Sequence, residues 1–365
     1  MHQQRRLLYG QKLERILEGI IGAYAFPHYK LTKGYAFYPM HVMMDITLRC
    51  NLRCHGCYKD TSKRKEKDPI DTAGWKHIID QLPPWTLLML TGGEPTLRKD
   101  FRDLARHAFR KHWCHLNTNG TIIDDDLARF IIGGRFFSVG VSIDGDRQTH
   151  DNVRGVKGAF DKAWYGLERL IYYRKKMKRK WPLIDVKTVI WPNTLKGVSR
   201  LIDLVAQSGA NLITISFPRI SSFHFSSQLV NELSPLYQKV EGPERLFDVN
   251  ELIGLCSQWE DKLYGNGVAW RYYPRMLSHK QFGNYIKEDS FANRYLPCHV
   301  PWVFFGINHD GDVYPCLSYR YGNILKQGLK EILNSERAIK FRSRIKESVL
   351  FPQCEGCCFL RVRPS

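Results

Sequence analysis

Three cysteines stand together early in the chain, in Cys50-Asn51-Leu52-Arg53-Cys54-His55-Gly56-Cys57, with three and then two residues between them. That spacing lets three thiolates converge on one soft metal centre, and thiolates are the ligands that iron–sulfur clusters select. Three protein ligands leave one corner of a cubane open, and an open position on a metal centre is where something further binds and is activated. His55, inside the triad, reads as a solvent-facing residue rather than a ligand. A second set lies late, at Cys298, Cys316, Cys354, Cys357 and Cys358. Two short apolar runs around Asp310-Gly311 read as a β-hairpin that would return Cys316 beside Cys298. With the Cys354-x-x-Cys357 knuckle they offer four thiolates for a closed tetrahedral or cubane site, which by ligand type alone suits zinc as well as iron and sulfide. Cys358 stands either in place of Cys357 or as a bystander. Cys114 and Cys256 lie alone in apolar or helical contexts and read as core residues.

Other residues able to do chemistry sit in short motifs. In Thr91-Gly92-Gly93-Glu94-Pro95 two glycines let backbone approach a ligand closely, and the carboxylate can take an ammonium. In Val141-Ser142-Ile143-Asp144-Gly145 a hydroxyl and a carboxylate two residues apart share one face, which suits a ribose diol. Arg154, in His150-Asp151-Asn152-Val153-Arg154-Gly155, offers a guanidinium for a carboxylate.

The elements that must position these groups follow from periodicity. Apolar runs at 42–48, 86–91, 113–117, 137–143, 184–190 and 211–217 read as buried parallel strands. Helical stretches near 71–82, 99–111, 123–133, 158–177 and 194–208 lie between them, punctuated by Pro83-Pro84, Gly120, Gly133-Gly134, Pro192 and Gly209. Such βα units give a parallel barrel, part of one, or an open doubly wound sheet; in each, ligands gather at the carboxyl ends of the strands. The motifs all sit there.

The chain divides into an amphipathic lead-in (1–40), an α/β core (41–218), a region near the mouth of the site (219–297) and a cysteine-rich C-terminal unit of hairpin plus helix (298–365). In the lead-in, Leu13, Ile16, Leu17, Ile20, Ile21 and Tyr24 repeat at helical spacing, and Pro27 is expected to stop the helix. Packing on the body is the plain expectation, and lying on a membrane surface the alternative. About 40 residues are too few for a separate recognition domain. Trp270-Arg271-Tyr272-Tyr273-Pro274 reads as packing aromatics.

With 43% hydrophobic and 13% aromatic residues, the 365-residue chain builds a real core. No run of about 18 apolar residues or secretory signal appears, so a cytoplasmic location is expected, without a disulfide framework. The net charge is +19, partly concentrated at Arg174, Lys175, Lys176, Lys178, Arg179 and Lys180. That run reads first as a solvated helix end, and second as a surface for phosphates.

Taken in order, the motifs of residues 41–218 resemble the radical S-adenosylmethionine (SAM) superfamily. The resemblance implies an α/β fold with a partial (β/α)6 TIM-like barrel, in which Cys50, Cys54 and Cys57 ligate a [4Fe–4S] cluster whose open iron chelates SAM. It implies that Gly92, Gly93 and Glu94 bind the methionyl amino group, Ser142 and Asp144 the ribose, and Arg154 the methionyl carboxylate. The usual aromatic residue before the last cysteine is replaced by Gly56, so adenine contacts must come from around Tyr58 or the sixth strand. The C-terminal unit resembles the twitch domain, a shorter relative of the SPASM domain. That implies one auxiliary [4Fe–4S] cluster on Cys298, Cys316, Cys354 and Cys357.

The cofactors implied are therefore SAM and two [4Fe–4S] clusters. The implied activity is reductive cleavage of SAM to a 5′-deoxyadenosyl radical, followed by oxidation or C–H modification of a small-molecule or peptide substrate. The partner implied is an external electron donor such as flavodoxin or ferredoxin; no catalytic residue is singled out. The charge and the lead-in keep a lipid-linked, nucleotide or other anionic substrate, or a peripheral membrane contact, in view. A non-catalytic iron–sulfur or zinc protein that binds nucleic acid would explain the charge and the cysteines. It leaves Gly92-Gly93-Glu94, Ser142, Asp144 and Arg154 unexplained, so nucleic acid is not the expected partner.

Overall fold

The computed structural model describes residues 16, 19–59, 62, 67–219, 221, 223–225, 229–238, 247–276, 278–287 and 291–363. The expected alternation is present. Strands β1 (His41–Thr47), β2 (Leu87–Gly92), β3 (Cys114–Thr118), β4 (Phe136–Ser142), β5 (Leu183–Val189) and β6 (Leu212–Ser216) run parallel in sequential order. Between them lie α2 (Thr72–Asp80), α3 (Phe101–Phe109), α4 (Asp125–Gly133), α6 (Ala159–Lys176) and α7 (Leu195–Ser208). The helix starts are written locally: Asp71 and Asp124 accept the backbone N–H of Gly74 and Leu127 at 2.8 Å each. Each such cap is worth about 1 kcal/mol.

One face of the sheet is apolar. Val42, Met44, Leu88, Leu90, Leu116, Val139, Val141, Ile184, Val186, Ile213 and Ile215 are fully buried there, each side chain contributing roughly 1.5–3 kcal/mol through burial. The alternate residues make an inner face that is polar at several strands.

The sheet is larger than the six expected strands. In residues 219–297, α8 (Val249–Gly265) matches the helical pattern of 247–264, and the aromatic stretch expected only to pack forms a seventh parallel strand, β7 (Ala269–Tyr273), paired to β6. Its alternation buries Trp270 and Tyr272 and turns Arg271 to the inner face. The hairpin of β8 (Phe304–Ile307) and β9 (Asp312–Tyr314) turns at Gly311, whose φ of +82° suits glycine. β8 also pairs in parallel with β1, so one ten-stranded sheet runs from β10 (Gly322–Asn323) to β7. The C-terminal unit therefore shares the sheet of the core. A further helix, α5 (Arg147–Arg154), stands between β4 and α6.

At the start of the described chain, α1 (residues 19–31) runs on through Pro27 instead of stopping there. The proline removes the bond to the carbonyl of Ala23, which is exposed and can meet water instead. The next segment is clamped by α12 (Glu336–Glu347): Arg342 donates to Gly34 O, and Ser343 Oγ to Lys33 O at 3.1 Å. Among the described residues no helix is long and apolar enough to cross a membrane.

Candidate active site

The cysteine triad occupies the loop after β1, and all three thiols are partly exposed. Backbone holds that loop on two sides. Gly93 N–H donates to Thr47 O at 2.8 Å and Glu94 N–H to Arg49 O at 2.7 Å, while Arg53 and His55 N–H reach Arg154 O and Val153 O at 3.0 and 2.9 Å. The glycines are explained by this approach: a Cβ on Gly92 would stand 2.2 Å from Thr47 O, and one on Gly93 2.4 Å from Arg49 O. Gly155, in the left-handed region at φ +65°, makes the matching concession under Arg53 O. Gly56 sits at φ +73°, which disfavours the aromatic side chain usual at that position. His55 is exposed, as its sequence position suggested.

Glu94 is buried, and both of its oxygens accept hydrogen bonds. Its Oε1 accepts from Thr96 N and from the hydroxyls of Thr96 and Thr118, and its Oε2 from Asn119 N at 2.6 Å. Burial pushes its carboxyl up, against the pull of those bonds. The side chain thus ties the end of β2 to the end of β3. Oε2 accepts one bond and keeps acceptor capacity, so Glu94 and the glycine backbone both lie at the strand end expected to meet an ammonium.

Beyond β4, Ser142 is partly exposed and Asp144 is buried. Asp144 pairs with Arg154 at 2.7 Å and accepts from Val189 N at 3.2 Å. Arg154 extends its second amino group to Cys54 Sγ at 3.7 Å. Burial works against the guanidinium charge, but Asp144, Cys54 and Cys50 together raise its pKa. α5 delivers this arginine. Asp146 caps it by accepting Thr149 N–H at 3.0 Å, and Gly155 ends it. The helix is nearly all polar, so only the capping aspartate and the glycine mark it in the sequence.

The second thiol set converges as well. Cys316 feels Cys298 and Cys354, Cys354 feels Cys298, and Cys357 feels Cys316 and Cys354; all four are buried. Burial first, then a neighbouring thiol, pushes Cys316 well up; a metal centre is what would offset such crowding. Cys358 lies beside the four, hydrogen-bonded to Cys357 and felt by Cys316. Arg219 donates to its Sγ at 3.2 Å, and a bond from Cys357 with this cation beside it pushes the thiol down to about 6 against its burial. Among the described residues no three His, Cys, Asp or Glu side chains close around a single-ion point. By ligand type the first thiol set suits a cluster, and the second suits a cluster or a tetrahedral zinc. Cys114 and Cys256 are fully buried in the core.

Between the two thiol sets the inner face carries a polar network that sequence reading did not assemble. Lys59, two residues after Cys57, bonds Asp45 and donates to Phe225 O at 2.9 Å; both Lys59 and Asp45 are buried. Tyr314, two residues before Cys316, donates to Asp45 Oδ2 at 3.1 Å. Arg219 lies 5.6 Å over the Tyr58 ring while bonding Cys358. Further round, Arg271 bonds Asp185 at 2.8 Å and Thr214 at 2.7 Å, with Lys187 at 3.7 Å from the same carboxylate. Gly140 makes room for that lysine, since a Cβ there would meet Lys187 Cε at 2.2 Å. The signal that was available is alternation, which puts Asp185 and Lys187, or Arg271 and Tyr273, on one face.

Comparison with known proteins agrees with this arrangement. Residues 44–178 match the radical SAM superfamily, and residues 298–358 match SPASM, an iron–sulfur cluster-binding domain. The Fe-coproporphyrin III synthase of Methanosarcina barkeri (strain Fusaro / DSM 804) is 32% identical over 310 residues, covering 69% of this chain and 72% of that protein. A cysteine-type anaerobic sulfatase-maturating enzyme of Clostridium perfringens (strain ATCC 13124) is 27% identical over 342 residues, covering 85% of each. The fold resembles that of Streptococcus suis SuiB bound to the precursor peptide SuiA, with a TM-score of 0.62 at 14% identity, over 89% of this chain and 72% of that one.

Proposed function

This chain belongs to the radical SAM superfamily, and we propose that it modifies or oxidises a C–H bond of a small molecule or peptide that presents a negatively charged group to the inner face of the sheet. It is an enzyme that uses SAM and iron–sulfur clusters. When bound, SAM and a reduced cluster supply one-electron chemistry at a substrate C–H bond. Cys50, Cys54 and Cys57 would hold the first cluster, and Cys298, Cys316, Cys354 and Cys357 the auxiliary one. Backbone at Gly92 and Gly93, with Glu94, would receive the methionyl ammonium, Arg154 its carboxylate, and Ser142 with Asp144 the ribose.

The observation that carries the substrate reading is the charge between the thiol sets. Lys187, Arg271 and Arg219 face this region against the Asp185 carboxylate and the acidic Cys358 thiol, while Asp45 and Lys59 cancel. Three cations thus meet two anionic groups, even though burial pushes the Lys187 ammonium down. An excess of fixed cations in a partly desolvated space favours an anionic ligand group. The relatives include a Fe-coproporphyrin III synthase and a sulfatase-maturating enzyme, so carboxylate-bearing porphyrins and peptides are the first candidates. An external electron donor would approach where His55 opens on a surface hollow of about 730 Å³ whose rim mixes Arg147 and Lys157 with Asp146 and Asp151.

Release of 5′-deoxyadenosine from SAM by the anaerobically reconstituted, reduced protein tests this reading. Carboxylate-bearing candidates should accelerate it in the wild type and fail to do so in Lys187→Met. Acceleration by neutral candidates alone would overturn the substrate class.

A further inference from the structure

The first described helix is apolar on the side that faces away from the protein. α1 packs inward through Ala25 and Tyr29, with the Tyr29 ring 5.0 Å from Trp302 and 4.5 Å from His299, the residue after Cys298. On the opposite side Ile16, Ile20, Ala23, Pro27 and Leu31 follow at spacings of 4, 3, 4 and 4, and all are exposed. Ile16 is 53% exposed, Ile20 51% and Leu31 84%; Phe26, Tyr35 and Phe37 beside them are 53%, 54% and 60% exposed. Of the nineteen large hydrophobics exposed among the described residues, seven lie between 16 and 37. A helix that only covered the body would turn polar residues outward, and a contiguous apolar patch of this kind marks a surface that binds something.

The charge around the patch indicates what. Lys30 and Lys33 are exposed on α1 and just after it. Lys346 reaches the carbonyls of Lys30 and Thr32 at 3.4 and 3.5 Å, and Lys340 is exposed on the same clamping helix α12, where Arg344 pairs with Glu347 at 3.3 Å. Residues 1–40 carry six Lys and Arg against two Glu, in a chain of net charge +19. An apolar helix face rimmed by lysines, with aromatic rings at its edge, matches the boundary of an anionic bilayer. A second copy of this chain would instead bring the same cations against each other.

We propose that α1, with its Lys30, Lys33 and Lys346 rim, docks the enzyme on a membrane surface rich in anionic lipid. This docking does not depend on the reaction assigned above. The experiment is co-sedimentation of the whole 365-residue chain, anaerobically reconstituted, with vesicles of phosphatidylglycerol and phosphatidylcholine or of phosphatidylcholine alone. Binding to the anionic vesicles is expected, with about a tenfold or greater loss in Ile20→Glu/Leu31→Glu and a parallel loss in Lys30→Glu/Lys33→Glu. All four positions are exposed, so the variants should fold and still release 5′-deoxyadenosine. Absence of binding, equal binding to neutral vesicles, or full binding by Ile20→Glu/Leu31→Glu would overturn the proposal. So would a dimer that this variant dissolves while vesicles go unbound, which would assign the face to a second copy.

Discussion

Asp144 and Arg154, ten residues apart, form an ion pair of 2.7 Å whose guanidinium also reaches Cys54 Sγ at 3.7 Å. The pair links the end of β4, the end of α5 and the cysteine loop, so the cation proposed for the SAM carboxylate is held against a thiol of the proposed cluster site. Arg154→Lys keeps the charge but loses the planar fork that serves both partners. SAM affinity, measured by equilibrium dialysis, should fall about tenfold, with iron content held. Unchanged affinity would mean that Arg154 serves only the loop.

Gly93→Ala is expected to damage the first metal site selectively. Its Cβ would lie 2.4 Å from Arg49 O and 2.6 Å from Leu48 O, so the cysteine loop must move. Iron and sulfide should drop by about half, as one of two cubanes is lost. Gly56→Ala meets no atom within 4 Å and carries only the strain of φ +73°, so it should retain most of its iron.

Cys357 and Cys358 should behave differently although they are neighbours. Cys357→Ala removes a member of the converging four and should abolish the electron paramagnetic resonance signal of the auxiliary cluster. Cys358→Ala removes the partner of Arg219 and should leave that signal in place. The reverse result would exchange their roles.

Acid should destabilise the fold through buried imidazoles. His150 is pushed down to about 4, first by burial and then by Arg154, and His41 to about 4 by burial and Lys187. An unfolded histidine protonates near 6.5, so between about 6.5 and 4 the unfolded chain binds protons that the folded one refuses. Stability is therefore full above this window and falls as pH drops through it. His150 Nδ1 accepts Asp144 N–H at 3.1 Å, a bond that His150→Asn can keep without titrating. Its melting temperature should fall less steeply with acid than that of the wild type; parallel curves would contradict this.

The six core strands were legible because strands covered by helices are near-continuous apolar runs, and their ends carried the cysteines, the two glycines and Asp144. β7 was not, because Ala-Trp-Arg-Tyr-Tyr mixes a polar inner face with aromatics and carries no apolar run. Nor was α5, where His150 is the buried residue of an otherwise polar helix. The β1–β8 pairing joins residues more than 260 apart, which no local pattern encodes. Glu94 reads in sequence as a ligand, and its engagement with Thr96, Thr118 and Asn119 appears only once β2 and β3 lie side by side. Pro27 misled because a solvent-facing proline can be carried inside a helix.

Metal analysis of the reconstituted protein shows whether the two separate thiol sets each hold a cluster at the inner face of the sheet. With one cluster on each set, the wild type carries about eight irons per chain, with about four left in Cys50→Ala/Cys54→Ala/Cys57→Ala and about four in Cys298→Ala/Cys316→Ala/Cys354→Ala. About four irons with one zinc in the wild type, the zinc lost with the C-terminal cysteines, would contradict a cluster on the second set.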